Sequence, residues 1–313
     1  MIAFEEYIEP SEVDKIRNEY VKRVKKYICE CGDEFCKYLK ANVFLLDGQL
    51  RDIKEKAISL LNKDGIVCER PDSKRCCNKH NSGSCNFYDI IMQGDKHYKD
   101  FISINKNGYW LADKLGIKVC PYCNRQYVFT VNNAGTRPEF DHFLPKSKYP
   151  LLALSFYNLI PCCHICNHIK GNIRFTLEEN LYPYTDSFHD KAEFVIEKYT
   201  SDIFHDRNSD FEIKLHDKSE ERAKANINTF KLQEIYNEHK DYAHEIIIKA
   251  VYYNESLKKL YSDSFGSFFD PAFIAQMYYG NYLDRCGIMN RTLAKFTQDI
   301  IKQFSPDTKG IGK

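Results

Sequence analysis

The sequence predicts an α+β fold: a mainly helical protein built around a small, zinc-stapled core of two strands and a helix. Three observations predict it. Cys120-Pro-Tyr-Cys123 stands about forty residues ahead of Cys163-His-Ile-Cys166, and two Cys-x-x-Cys knuckles at that separation can close one tetrahedral zinc site. Between the knuckles lies a stretch with strand and turn character, and a short helical segment follows. On both flanks apolar residues recur at steps of three and four, the period of a helix that buries one face.

Residues 11–27 read as a helix, with Ser11 as a cap and Val13, Ile16, Tyr20, Val24 and Tyr27 on one stripe. Residues 49–62 repeat the pattern with Leu50, Ile53, Ala57, Leu60 and Leu61. The polar stretch 64–86 carries Cys68, Cys76, Cys77, His80 and Cys85 and reads as a loop or insertion. It and the Cys29-x-Cys31-x4-Cys36 run are candidate second zinc sites, though neither has knuckle-pair spacing. Residues 126–131, Gln-Tyr-Val-Phe-Thr-Val, are β-branched and aromatic and read as a strand. Asn132–Gly135 would be its turn and 138–143 the return strand. Residues 164–170 read as a short helix stopped by Gly171.

Further on, 235–251 reads as a helix with Ile235, Tyr242, Ile246 and Ala250 on one face and a Glu245–Lys249 pair. Leu293, Phe296, Ile300 and Phe304 mark another, and 211–215 a short strand. The polar end 305–313 reads as frayed. The expected organisation is an N-terminal helical region with a Cys-rich loop (1–115), the core (116–180) and a mainly helical C-terminal region (181–313).

The 313 residues are 43% hydrophobic and 28% charged, enough for a packed core. The net charge of +1 excludes a polycation that binds nucleic acid through its global field. Locally, from Cys120 to Phe175, Arg125, Arg137, Lys146, Lys148, Lys170 and Arg174 face only Glu139 and Asp141. Such a stripe suits a phosphate substrate. The thirteen cysteines, with no apolar leader in Met1–Pro10 and no span-length apolar run, point to reduced, partly metal-bound thiols in the cytoplasm.

Phosphodiester hydrolysis needs a general base and oxygen ligands for a hard cation. His142 suits the base because its ordinary pKa lies near neutrality. Asp141 and Asn167 offer oxygens to a Mg²⁺ or Mn²⁺ ion. Neighbouring strand residues point to opposite faces, so Asp141 and His142 share a site only if the strand end bends. Asn158 can bond main-chain groups across its loop and orient His142. Lys170, three residues past Asn167, and Arg174 are candidate phosphate contacts; a solvated lysine at a helix C-terminus is the alternative for Lys170. Cys162 reads as packing beside Cys163, and His164 as a surface residue.

The segments Phe140-Asp141-His142-Phe143 and Asn158 to Asn172, which includes Cys163-His-Ile-Cys166-Asn167, resemble the HNH endonuclease motif of the ββα-metal superfamily. Pro145-Lys-Ser-Lys-Tyr-Pro150 resembles the branch found in prokaryotic anti-phage systems, the Septu and retron-associated nuclease subunits. The likeness covers roughly residues 117–175. It implies His142 as general base, Asp141 and Asn167 as ligands of the catalytic metal, Asn158 as the orienting asparagine, and Cys120, Cys123, Cys163 and Cys166 as structural zinc ligands. The last metal position is often histidine in the family; here it is Asn167, with His168 the weaker candidate. The expected activity is metal-dependent cleavage of nucleic acid, DNA before RNA, alongside a defence-associated ATPase partner. An RNA-cleaving HNH toxin and a non-catalytic zinc module that binds nucleic acid or protein are the rival readings.

Overall fold

The computed structural model describes residues 2–63, 93–266 and 268–305. The expected cysteine-rich loop at 64–86 lies outside the described residues, as does the tail beyond Ser305. The chain forms two compact units, one of residues 8–117 and 129–177, the other of residues 1–7, 118–128 and 178–313. Among the described residues no helix is long and apolar enough to cross a membrane.

The first unit begins with α1 (Pro10–Cys31), α2 (Glu34–Ala41), α3 (Phe44–Asp47) and α4 (Leu50–Lys63). Val13, Ile16, Tyr20 and Val24 bury the expected stripe of α1. Ser11 does not cap the helix. Pro10 occupies the first turn behind Glu9, where its missing N–H costs nothing. Leu50, Ile53 and Ala57 bury one face of α4. Then come α5 (Gly94–Tyr98), which continues into a π-helical turn Lys99–Ile104, and α6 (Asn107–Leu115).

The strands of this unit are β1 (Glu139–His142) and β2 (Leu159–Cys162), and α7 (His164–Lys170) follows at once. They pair antiparallel, Glu139 opposite Cys162 and His142 opposite Leu159. The expected hairpin of 126–131 with 138–143 does not form. Residues 126–131 make isolated bridges instead, Tyr127 with Val119 and Val131 with Thr136. Phe129 and Val131 are 46% and 44% exposed, so the apolar face they share with Tyr127 is not buried against a sheet. The 16-residue connection from β1 to β2 is instead held from outside: Tyr20 donates to the Leu154 carbonyl at 3.1 Å, and Ser155 to the Leu45 carbonyl.

The second unit holds β3 (Glu193–Glu197) and β4 (Glu212–His216), an antiparallel pair, then α8 (Glu221–Thr229), α9 (Leu232–Asn237), α10 (Lys240–Tyr252), α11 (Glu255–Phe265), α12 (Pro271–Tyr279) and α13 (Ala294–Phe304). The helix expected at 235–251 is broken after Asn237 into α9 and α10, and Tyr236, not Ile235, takes the buried position. The Glu245–Lys249 pair is present at 2.5 Å. Two glutamines close the edges of the β3–β4 sheet. Gln303 bonds both main-chain groups of Ile196, and Gln233 bonds the Leu215 N–H and the Ile213 carbonyl. An exposed strand edge is otherwise a template for another chain.

Candidate active site and metal centre

The two knuckles are prepared for metal by their own main chain. Cys163 is the N-cap of α7, and its sulphur accepts the Cys166 N–H at 3.4 Å. The Cys123 sulphur accepts the Arg125 N–H at 3.4 Å. N–H groups aimed at sulphur favour the thiolate that a metal needs. Asn124 holds the left-handed turn after Cys123 at φ 51°, a conformation asparagine tolerates. Its side chain bonds the Ile288 carbonyl and the Lys295 N–H, and Tyr236 donates to the Cys123 carbonyl at 2.6 Å. Cys120, Cys123, Cys163 and Cys166 are all buried, with sulphurs within 4.8 Å of one another. A compact set of four thiols fits a zinc ion. Cys162 stays apart as packing; burial pushes its thiol well above the ordinary range.

A cleft of about 420 Å³ opens over β1 and α7, lined among others by Tyr98, Glu139, Asp141, His142, Lys146 and Asn167. Asp141 and His142 both line this cleft although they are neighbours on a paired strand; the chain bends only after them, at Phe143 and Leu144. His142 is 6% exposed, its ring edge-on to Tyr98 with centroids 4.5 Å apart. Its Nε2 lies 3.0 Å from the Ala153 carbonyl. A carbonyl only accepts, so Nε2 carries the proton and Nδ1 is the basic nitrogen. Burial first, and then the Lys146 charge, push the His142 pKa down to about 3, against the Ala153 bond.

Asn158 is fully buried and closes the connection on itself. Its Oδ1 accepts the Leu144 N–H at 2.8 Å, and its Nδ2 donates to the Leu144 and Leu152 carbonyls, both at 3.1 Å. That ties the residues after His142 to the stretch just before Ala153.

Two arrangements had no signal in the sequence. Lys170 is fully buried; its ammonium donates to Asp141 Oδ1 at 2.9 Å and to the His142 carbonyl at 2.7 Å, and lies over the Phe175 ring. Its charge is therefore spent inside the fold and does not reach the surface. Asn167 donates to Glu139 Oε2 at 2.7 Å, and His164, exposed, lies 2.9 Å from Oε1. Burial pushes the Glu139 carboxyl up, but the bonds from Asn167 and His164 outweigh it and hold the group below its ordinary range. Glu139 thus joins Asp141 and Asn167 as an oxygen donor in the cleft. These donors suit a hard cation, with one oxygen of Asp141 engaged by Lys170. His168 is exposed and lines the cleft, whereas Arg174 is exposed and outside it.

No protein-family model matches the chain, and no solved structure matches it. Among curated proteins, the chain is similar to the Septu protein PtuB of Bacillus thuringiensis, 28% identical over 101 residues. The aligned stretch is 31% of this chain and 39% of that relative, so the likeness spans well under half of either.

Proposed function

We propose that the chain is a metal-dependent endonuclease of the HNH type, acting on nucleic acid, DNA before RNA, in an anti-phage system. The observation that carries the reading is His142. It is a neutral imidazole with its Nε2 proton committed to the Ala153 carbonyl, so that Nδ1 is the basic nitrogen, and it lines a cleft together with Asp141, Glu139 and Asn167. Nδ1 takes the proton of the attacking water. Tyr98 and the Ala153 carbonyl fix the ring, and Asn158 fixes the loop that presents that carbonyl. Lys146, paired to Asp95 at 2.5 Å, gives the cleft rim a positive charge for phosphate. A Mg²⁺ or Mn²⁺ ion, which Asp141, Glu139 and Asn167 would hold, supplies charge stabilisation at the phosphoryl oxygens when bound. Zinc on the four cysteines is structural, since thiolates fill all its positions. The similarity to the Septu protein supports the defence setting, and an ATPase partner belongs to the same reading.

The Lys170–Asp141 pair favours the rival, a zinc module without catalysis, because it engages an oxygen that a catalytic cation would use. Plasmid cleavage with Mg²⁺ or Mn²⁺, wild type against His142→Ala, separates the two. Loss of about 10²–10⁴-fold in rate with the fold retained supports the nuclease. Equal rates, or no cleavage of DNA or RNA by the wild type, remove it. Cleavage confined to RNA would move the substrate to RNA.

A further inference from the structure

A second group of metal-ligating side chains stands in the first unit, away from the four cysteines. Cys31 is the last residue of α1. Gly32 turns the chain at φ 70°, and Asp33 is the N-cap of α2, its Oδ1 accepting the Cys36 N–H at 2.9 Å. This tight turn sets Cys31, Asp33 and Cys36 around one point. His97 of α5, more than sixty residues on, completes the group: one ligand atom from each of the four lies within 4.8 Å of the others.

The geometry of His97 is that of a ligand. Its Nδ1 faces both sulphurs, Cys36 at 3.8 Å and Cys31 at 4.0 Å. The donors of a tetrahedral zinc site, each about 2.0–2.3 Å from the ion, are about 3.3–3.8 Å apart. Its Nε2, buried, lies 2.9 Å from Asp33 Oδ2. A carboxylate at that nitrogen keeps the ring proton on Nε2 and leaves Nδ1, the nitrogen that faces the sulphurs, with its lone pair for a metal. The Tyr27 hydroxyl, 2.9 Å from Nδ1, competes for the same lone pair.

We propose that Cys31, Cys36, His97 and Asp33 bind a zinc ion, a second structural site independent of the nuclease reading. Two thiolates, an imidazole and a carboxylate form a borderline-soft, four-coordinate set that suits Zn²⁺ better than a hard cation. Binding releases the thiol protons and displaces the Tyr27 hydroxyl from Nδ1. The ion would join the end of α1, the start of α2 and α5. Its reach to the cleft is short: the residue after His97 is Tyr98, whose ring packs on His142.

Exposure makes the test clean. Cys31 and Cys29 are both exposed, and only Cys31 belongs to the group. Full-length protein, purified reduced and without chelator, is treated with iodoacetamide before and after chelation, and labelling is read by mass spectrometry. Cys29 should label both times and Cys31 only after the chelator. Zinc per chain should fall by one equivalent in Cys31→Ser and by one in Cys120→Ser, the losses adding in the double variant. Cys31 labelling at the rate of Cys29 in untreated protein, unchanged zinc in Cys31→Ser, or a Cys31–Cys36 disulfide would each overturn the site. The labelling arm uses the wild type and does not depend on a variant folding.

Discussion

The Lys170 ammonium and the Asp141 carboxylate meet at 2.9 Å with both side chains shut off from water, at 0% and 3% exposure. A charge in that position is tolerated only because its partner is present. Lys170→Met should therefore cost about 3–5 kcal/mol by removing the charge that balances the buried Asp141 carboxylate. Pairing it with Asp141→Leu should recover much of that loss. Urea unfolding of the two variants checks this; a single variant as stable as wild type would contradict the pairing.

His142 carries a pH signature. Its folded pKa, about 3, lies far below the ordinary value, near 6.5 in the unfolded chain. The unfolded chain therefore takes up a proton first as the solution acidifies. The stability linked to His142 is complete above about pH 6.5 and declines as pH falls toward 3. His142→Gln should remove that part of the pH dependence in unfolding measured between pH 4 and 8. In cleavage assays on the free enzyme, the acid limb of kcat/KM should fall well below 6.5.

Asn158 should be among the least replaceable residues of the unit. Asn158→Ala removes three main-chain bonds and leaves an N–H and two carbonyls buried near Leu144 and Leu152. At about 1 kcal/mol per bond, the loss is about 3 kcal/mol, with more from the desolvated groups. Thermal unfolding reads the stability. The nuclease rate should fall further than global unfolding explains, because the Ala153 carbonyl is no longer fixed on His142.

Removing zinc from the four cysteines should loosen α7 first. Cys163 is at once a candidate ligand and the helix cap, so Cys163→Ala loses both, whereas Cys163→Ser keeps an oxygen for the cap. Hydrogen exchange of residues 164–170 should rise in both variants, and more in Cys163→Ala. Equal protection in wild type and Cys163→Ala would exclude a structural metal there.

Much of this site can be read from the chain, and the limits are physical. The knuckle spacing, the short helix ended by Gly171 and the strand at Asp141–His142 follow local rules, and the structure has each of them. The true partner of β1 was hidden because Leu159–Cys162 contains Pro161, and a proline argues against a strand. It is accommodated because β2 pairs on one side only. Lys170 was misread as a surface cation for a different reason. Lysine at the end of a helix is ordinarily solvated, and its partner Asp141 is 29 residues away, a distance over which no local pattern operates. Glu139 and His97 were missed alike, since each gains its meaning from neighbours that only folding supplies.

The support around His142 also has a one-sided chemistry. On one side are side chains, His142 and Asn158; on the other are the carbonyls of Ala153, Leu144 and Leu152 and one N–H. A carbonyl belongs to every amino acid, so no substitution at those three positions deletes it. In a saturation scan, His142 and Asn158 would tolerate almost nothing, while 144, 152 and 153, all fully buried, would accept apolar residues of similar size. The carbonyls that aim the base would therefore be invisible in a list of inactivating substitutions, which would report only the packing of the side chains beside them.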